Sequence, residues 1–279
     1  MQKMKPVSFF HIGPQKSATT WVYKCLKEHP EVACPPKDTI HYFDMFYSKG
    51  RKWYANFFKD ASPNQKLFDP TASYIRSPWA PRRIVRENEQ AKIVLCLRNP
   101  VDRAFSHYWH EKEKRKIAFQ FKEVLENYDL FSSWIEPGFY AEYIERYLRY
   151  FPRDQILCLK FDDLKKNSQL FLRRLLRFLE IDDSFTPSWV NKKANTAGSE
   201  RTIPNVLWRR VRARLQRIGK RDIVNAVEMS PILGNLVWDQ DEYKRGIDDD
   251  LRCELQEICE PEIQRLEELL DINLAHWRT

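Results

Sequence analysis

The segment VSFFHIGPQKSATTW (Val7 to Trp21) constrains this chain more than any other. A strand-like apolar run over 7 to 12 passes directly into a polar loop from Gly13, and the loop passes into a helical pattern. A strand, loop and helix in that order aim consecutive backbone N–H groups and a helix N-terminus at one point, which suits a phosphate or a sulfonate. Lys16 adds a point charge, and the hydroxyls of Ser17, Thr19 and Thr20 are further donors. The frame is not that of the ATP-binding loop GxxxxGK followed by Ser or Thr, because counting from Gly13 the second glycine falls on Ala18 and the lysine on Thr19. That counts against an ordinary kinase or ATPase without excluding one, so a nucleotide-dependent kinase stays as a competing reading.

The rest of the chain alternates strand-like runs with longer helical patterns, so the expected class is α/β: a P-loop-like parallel sheet flanked by helices, with a helical C-terminal tail. The expected strands are 7 to 12, a short one near 41 to 43, 66 to 69, 92 to 97 and 155 to 161. The expected helices cover about 19 to 28, 80 to 88, 100 to 114, 121 to 128, 140 to 151 and 169 to 179. No repeat or low-complexity linker interrupts this pattern, which points to a single domain over 1 to 279 with a core of about 6 to 201 and a helical cap of about 202 to 279. No apolar run approaches the length of a membrane helix. The N-terminal apolar stretch is too short for a signal peptide, and the six cysteines show no CxxC spacing. A cytoplasmic protein with reduced thiols is expected.

The formal net charge is +8, and the stretch from Arg201 to Arg221 carries eight basic residues and no acidic one, which accounts for all of it. A local cluster of this kind leaves an anionic-polymer-binding protein as a second competing reading, to be separated by the steep salt dependence such binding shows. The aromatic residues do not form the short motif of an RNA-recognition fold, and nucleic acid is not the expected partner. His107, His110 and Glu111 form HxxHE rather than the HExxH of zinc peptidases, so no metal site is expected.

A second anion site is written in KIVLCLRNPVDRAFSHYWHE (Lys92 to Glu111). A buried strand ends at Arg98, and Asn99, Pro100 and Asp102 are helix-start residues. Arg98 therefore stands at the carboxyl end of a parallel strand, where open α/β sheets bind ligands, with Ser106 two turns along the next helix.

These two segments resemble the sulfotransferases that use 3′-phosphoadenylyl sulfate (PAPS), whose 5′-phosphosulfate loop reads approximately PKSGTTW against PQKSATTW here. FDPTASYIRSPWAPRRI (68 to 84), YIERYLRYFPRDQILCLKFDDL (143 to 164) and NKKANTAGSER (191 to 201) extend the similarity to glycan sulfotransferases, including the sulfotransferase domain of heparan N-deacetylase/N-sulfotransferases. The resemblance implies a PAPS-dependent enzyme that moves a sulfuryl group to a hydroxyl or amine of a small-molecule or carbohydrate acceptor. It implies a donor site formed by Gln15, Lys16, Ser17, Ala18, Thr19, Thr20 and Trp21, with Arg98 and Ser106 on the 3′-phosphate and Lys192, Lys193 and Arg201 on the loop over the donor. Lys16 is then catalytic, stabilising the leaving 5′-phosphate oxygen.

The chain departs from the family in three places. Ala18 replaces the loop glycine, a modest change if that residue keeps negative φ and contributes only its N–H. Thr39 stands where many relatives carry the glutamate base, so Asp38 is the favoured general base and His41 its competitor. Pro70 occupies the place of a second family lysine, with Arg76, Lys37 and Lys192 as the cations that remain.

Overall fold

A computed structural model describes residues 5–113, 119–192, 211, 214–215, 218–229 and 246–278. In chain order the elements are β1 (Phe9–Gly13), α1 (Thr19–Lys27), β2 (Val32–Ala33), α2 (Gly50–Ala55), β3 (Lys66–Asp69), α3 (Ala80–Glu87), β4 (Lys92–Leu97), α4 (Pro100–Glu113), α5 (Tyr128–Trp134), α6 (Ala141–Leu148), β5 (Ile156–Lys160), α7 (Phe161–Lys166), α8 (Ser168–Leu179), α9 (Arg221–Met229) and α10 (Asp249–Leu270). The five strands form one sheet in the order β2-β3-β1-β4-β5, and every pairing is parallel. This is the α/β sheet flanked by helices that the sequence leads one to expect, and a C-terminal helix is present. The residues group into two compact units, Met1–Asn99 with Phe139–Asn195 and Arg265–Asn273, and Pro100–Gly138 with Thr196–Gln264 and Leu274–Thr279.

In the first unit all five β1 residues are buried, which is why the strand reads as a continuous apolar run. Alternate β1 side chains face opposite ways. Phe9 stacks on Phe68 and joins a core with Trp21, Val22 and Leu26 of α1 and Phe171, Leu172, Leu175 and Leu176 of α8. Phe10 packs edge-on against Phe43, within an aromatic cluster that also contains Tyr42, Tyr54 and Tyr74. The register between β1 and β4 slips after His11, so that Gly13 rather than Ile12 faces Leu95. Such a bulge at a strand end re-aims the chain that follows it. Gly13 is required there: its φ is 121°, and a Cβ would lie 2.1 Å from the Ala72 carbonyl oxygen.

Two expected elements differ. Residues 41 to 43 are not a strand, because their N–H groups bond to side-chain hydroxyls of Thr71 and Tyr74 in place of a ladder. The edge position is filled instead by the two-residue β2. The helix expected over 121 to 128 is a single 3₁₀ turn, Phe121–Val124, and α5 starts only at Tyr128, where the Asn127 side chain accepts from the N–H groups of Asp129 and Leu130. All six cysteines are unpaired. Among the described residues no helix is long and apolar enough to cross a membrane.

Candidate active site

The loop after β1 is shaped by its backbone. Lys16 (φ 68°) and Ala18 (φ 66°) adopt left-handed conformations, while Gln15 and Ser17 between and before them do not. Backbone of alternating hand turns successive N–H groups toward one side and makes an anion-binding nest. Ala18 is also the N-cap of α1 and provides no side-chain cap, so the first-turn N–H groups of Thr19, Thr20 and Trp21 belong to the same region of positive potential. The condition of negative φ, under which alanine in place of glycine is a modest change, is thus not met. The nest demands the left-handed conformation there, at a cost of about 1–2 kcal/mol for a residue with a Cβ. Ser17 is fully buried, and its hydroxyl meets no hydrogen-bond partner among the described residues. A buried hydroxyl left so is costly unless a ligand or water completes it. Gln15 is exposed, and Trp21 is buried against Phe171.

Arg98 follows β4, the strand next to β1 in the sheet. Its guanidinium donates to the Lys16 carbonyl oxygen at 2.9 Å and lies over the Phe161 ring, and its own carbonyl accepts from the Tyr140 hydroxyl. The arginine and the loop lysine, 82 residues apart in sequence, therefore meet. Ser106 is a half-buried residue of α4, in the second unit. Lys192 is exposed; its ammonium lies over Trp189 and donates to the Ser188 hydroxyl. Ser188 in turn donates through its N–H and its hydroxyl to Glu28, and Lys24 covers Trp189, so residues 188 to 192 are fixed to the C-terminal end of α1. Lys193 and Arg201 lie outside the described residues, as does most of the basic stretch from 201 to 221, of which Arg214 and Lys220 are exposed.

The segment from Asp38 to Asp44 borders this loop from both ends. Asp38 accepts from the Thr20 hydroxyl at 3.4 Å. At the other end, Ser73 follows Ala72, whose carbonyl abuts Gly13, and Ser73 contacts His41. His41 Nδ1 is 3.2 Å from Asp44 Oδ2 and 3.0 Å from Ser73 Oγ, and Ser73 Oγ donates to the same carboxylate oxygen at 2.5 Å. Asp44 is therefore the acceptor for both, which places the imidazole proton on Nδ1 and leaves Nε2 as the basic nitrogen. The hydrogen bond to Asp44 holds His41 above its usual value, against the opposing effect of burial. Burial pushes Asp44 up, but the hydrogen bonds from His41 and Ser73 outweigh it and hold the carboxyl below the usual range. Thr39, at the place of the family glutamate, is exposed. Lys37 and Arg76 are exposed as well, and the Arg76 carbonyl accepts from Arg146.

Asp44 and Ser73 do not figure in the reading of the sequence. The spacing of Asp44, three residues after His41, is a usable signal for a carboxylate against a histidine in a tight turn. Ser73, 32 residues away, offers none.

The nest, its arginine and the carboxylate-bound histidine all lie in the first unit. The family described as "Sulfotransferase domain" matches residues 7–200. The chain belongs to the sulfotransferase family. Similar sulfotransferases include the murine bifunctional heparan sulfate N-deacetylase/N-sulfotransferase 4, 32% identical over 199 residues, which are 64% of this chain and 23% of that protein. The human bifunctional heparan sulfate N-deacetylase/N-sulfotransferase 3 is 33% identical over 192 residues, 62% of this chain and 22% of its own length. The chain thus spans less than a quarter of these relatives. The crystal structure of a sulfotransferase from Alicyclobacillus acidocaldarius superposes with a TM-score of 0.72 over 99% of this chain and 100% of that one, at 22% identity, and shows that the fold is shared.

Proposed function

We propose that the protein is a PAPS-dependent sulfotransferase that delivers a sulfuryl group to a hydroxyl or amine of a small-molecule or carbohydrate acceptor. The observation that carries the reading is the meeting of Lys16 and Arg98 at the ends of two neighbouring parallel strands. A donor with a phosphosulfate at one end and a 3′-phosphate at the other needs two anion sites on one sheet edge, and a mononucleotide triphosphate has no use for the second. The buried, uncompleted Ser17 hydroxyl fits the same ligand, since a phosphosulfate oxygen supplies the missing partner.

On this reading the donor supplies the sulfuryl group, and the side chains of this protein supply positioning and charge. The nest and Lys16 hold the 5′-phosphosulfate, with the Lys16 ammonium balancing charge on the leaving phosphate oxygen. Arg98 and Ser106 are assigned to the 3′-phosphate on the family motif, and Lys192, Lys193 and Arg201 to the segment over the donor. His41 removes the acceptor proton at Nε2, and Asp44 sets its tautomer and steadies the imidazolium. The carboxylate-bound imidazole supports His41 over Asp38, whose contact is with Thr20 on the donor side. The small-molecule or carbohydrate acceptor follows the similarity to enzymes named for heparan sulfate. The unpaired cysteines support a reducing, cytoplasmic setting.

The test is a transfer assay with radiolabelled PAPS over carbohydrate, amine and phenol acceptors. Label reaching at least one class without added Mg²⁺ is the expected result. Transfer of phosphate from ATP with dependence on Mg²⁺ would return the kinase reading.

A further inference from the structure

We propose that Asp69 is a positioning residue for catalysis: through the hydroxyls of Thr71 and Tyr74 it sets the backbone of the turn that carries His41. The proposal rests on the reading of His41 as the base.

Asp69 is the last residue of β3 and is fully buried. Its Oδ1 accepts from the Thr71 N–H at 3.1 Å and the Thr71 hydroxyl at 2.6 Å, and its Oδ2 accepts from the hydroxyls of Tyr54 at 2.8 Å and Tyr74 at 3.0 Å. A hydroxyl owns one proton. Because Thr71 and Tyr74 both give theirs to the carboxylate, their lone pairs face the other way and accept. Thr71 Oγ1 accepts from the N–H groups of Ile40 at 2.9 Å and His41 at 3.4 Å, and the Tyr74 hydroxyl accepts from those of Tyr42 at 3.0 Å and Phe43 at 3.3 Å. Four consecutive backbone N–H groups thus end, one hydroxyl removed, on a single carboxylate.

The direction of each of these bonds follows from the carboxylate being an acceptor only. The turn also needs such support. His41 has φ 59°, a left-handed conformation that a residue with a side chain keeps only where its surroundings over-determine it. From the carbonyl side, Arg83 of α3 donates to the Phe43 oxygen at 2.7 Å. The turn is therefore gripped on both edges, and the Nδ1 contacts of His41 to Asp44 and Ser73 depend on where that grip sets its Cα. A carboxylate that served packing alone would have no reason to direct its hydroxyls at the one segment that bears the base.

The decisive variant is Asp69→Asn, equal in size but carrying two donors on one of its two polar atoms. Thr71 or Tyr74 must then accept from the amide, and its lone pairs are withdrawn from residues 40 to 43. Thr71→Val removes one relay hydroxyl at constant shape, and Thr71→Ser keeps it. For each variant, turnover, the affinity for adenosine 3′,5′-bisphosphate and the His41 imidazole resonances through a pH titration are measured, with His41→Ala as reference. Turnover is expected to fall about 10- to 100-fold in Asp69→Asn and Thr71→Val, with nucleotide affinity held within about twofold, displaced His41 resonances, and recovery in Thr71→Ser. Folded Asp69→Asn and Thr71→Val proteins with wild-type His41 resonances would overturn the proposal, as would a Thr71→Ser protein as impaired as Thr71→Val. Should His41→Ala retain full turnover, the base assignment fails instead, and the resonances still decide whether Asp69 sets the turn.

Discussion

The loop from Gly13 to Trp21, proposed to hold the donor, and the turn from Asp38 to Asp44, proposed to carry the base, adjoin each other and are built by different means. The loop is made from its own backbone: a glycine that cannot bear a Cβ, two left-handed residues and a helix N-terminus, with one contact of its Lys16 carbonyl to Arg98. The turn has one left-handed residue, His41, and an internal His41–Asp44 contact, but its N–H groups and its carbonyl edge are held by side chains borrowed from residues 69 to 74 and from Arg83. The difference teaches that one site can divide its labour. A backbone nest suits the invariable phosphosulfate of a donor, whereas a turn hung on remote side chains is free to change with the acceptor.

The comparison breaks most visibly at Lys16. Lys16→Ala removes the side-chain charge of a loop shaped by its backbone, and turnover should fall on the order of 10²-fold in a single-turnover assay; unchanged turnover would remove its catalytic role. On the other side of the divide, the test is the pH dependence of turnover. As the proposed base His41 acts only when deprotonated, and the hydrogen bond to Asp44 holds it above its ordinary value, so activity should be lost as pH falls through that raised value. Asp44→Asn deletes the charge responsible and should move the acid limb to lower pH while lowering the plateau. His41→Ala should abolish the limb, and Asp38→Asn should keep it; the reverse pattern would make Asp38 the base. The smallest effect sharpens the backbone side. Ala18→Gly relieves a left-handed penalty of about 1–2 kcal/mol and adds about 0.4–1 kcal/mol of unfolded-chain entropy. The net expectation is a stabilisation of about 1 kcal/mol or less, read as a higher denaturation midpoint; a lower midpoint would mean that the strain is not there.

The same division decides what the sequence discloses. The loop is local, so nine consecutive residues announce an anion site, and Arg98 is legible because a buried strand runs straight into it. The four longer strands are legible for a related reason: β1 and β4 are largely apolar and buried, and the shorter β3 and β5 hold their apolar residues between or before charged ends. The turn is not legible. Residues 41 to 43 read as a strand because they are apolar and aromatic, and only the non-local hydroxyls of Thr71 and Tyr74 divert their N–H groups from a ladder. Asp69 stands beside Pro70, where interest falls on a missing lysine; it accepts from the Thr71 N–H and from the hydroxyls of Thr71, Tyr54 and Tyr74, and no local pattern joins the two tyrosines to it. Ala18 shows the complementary error: alanine suggests an ordinary backbone, while the loop around it requires the conformation that glycine adopts freely.

On the proposed function, the loop after β1 and the arginine after β4 grip one bisphosphorylated adenosine. Titration calorimetry of the wild-type protein, Lys16→Ala and Arg98→Ala with adenosine 3′,5′-bisphosphate, and of the wild type with ATP, tests it directly. One site per chain is expected, with affinity for the bisphosphate lowered at least about tenfold by Arg98→Ala and binding to ATP that is weaker and indifferent to Mg²⁺. Wild-type affinity in Arg98→Ala, or tighter Mg²⁺-dependent binding of ATP, would contradict it.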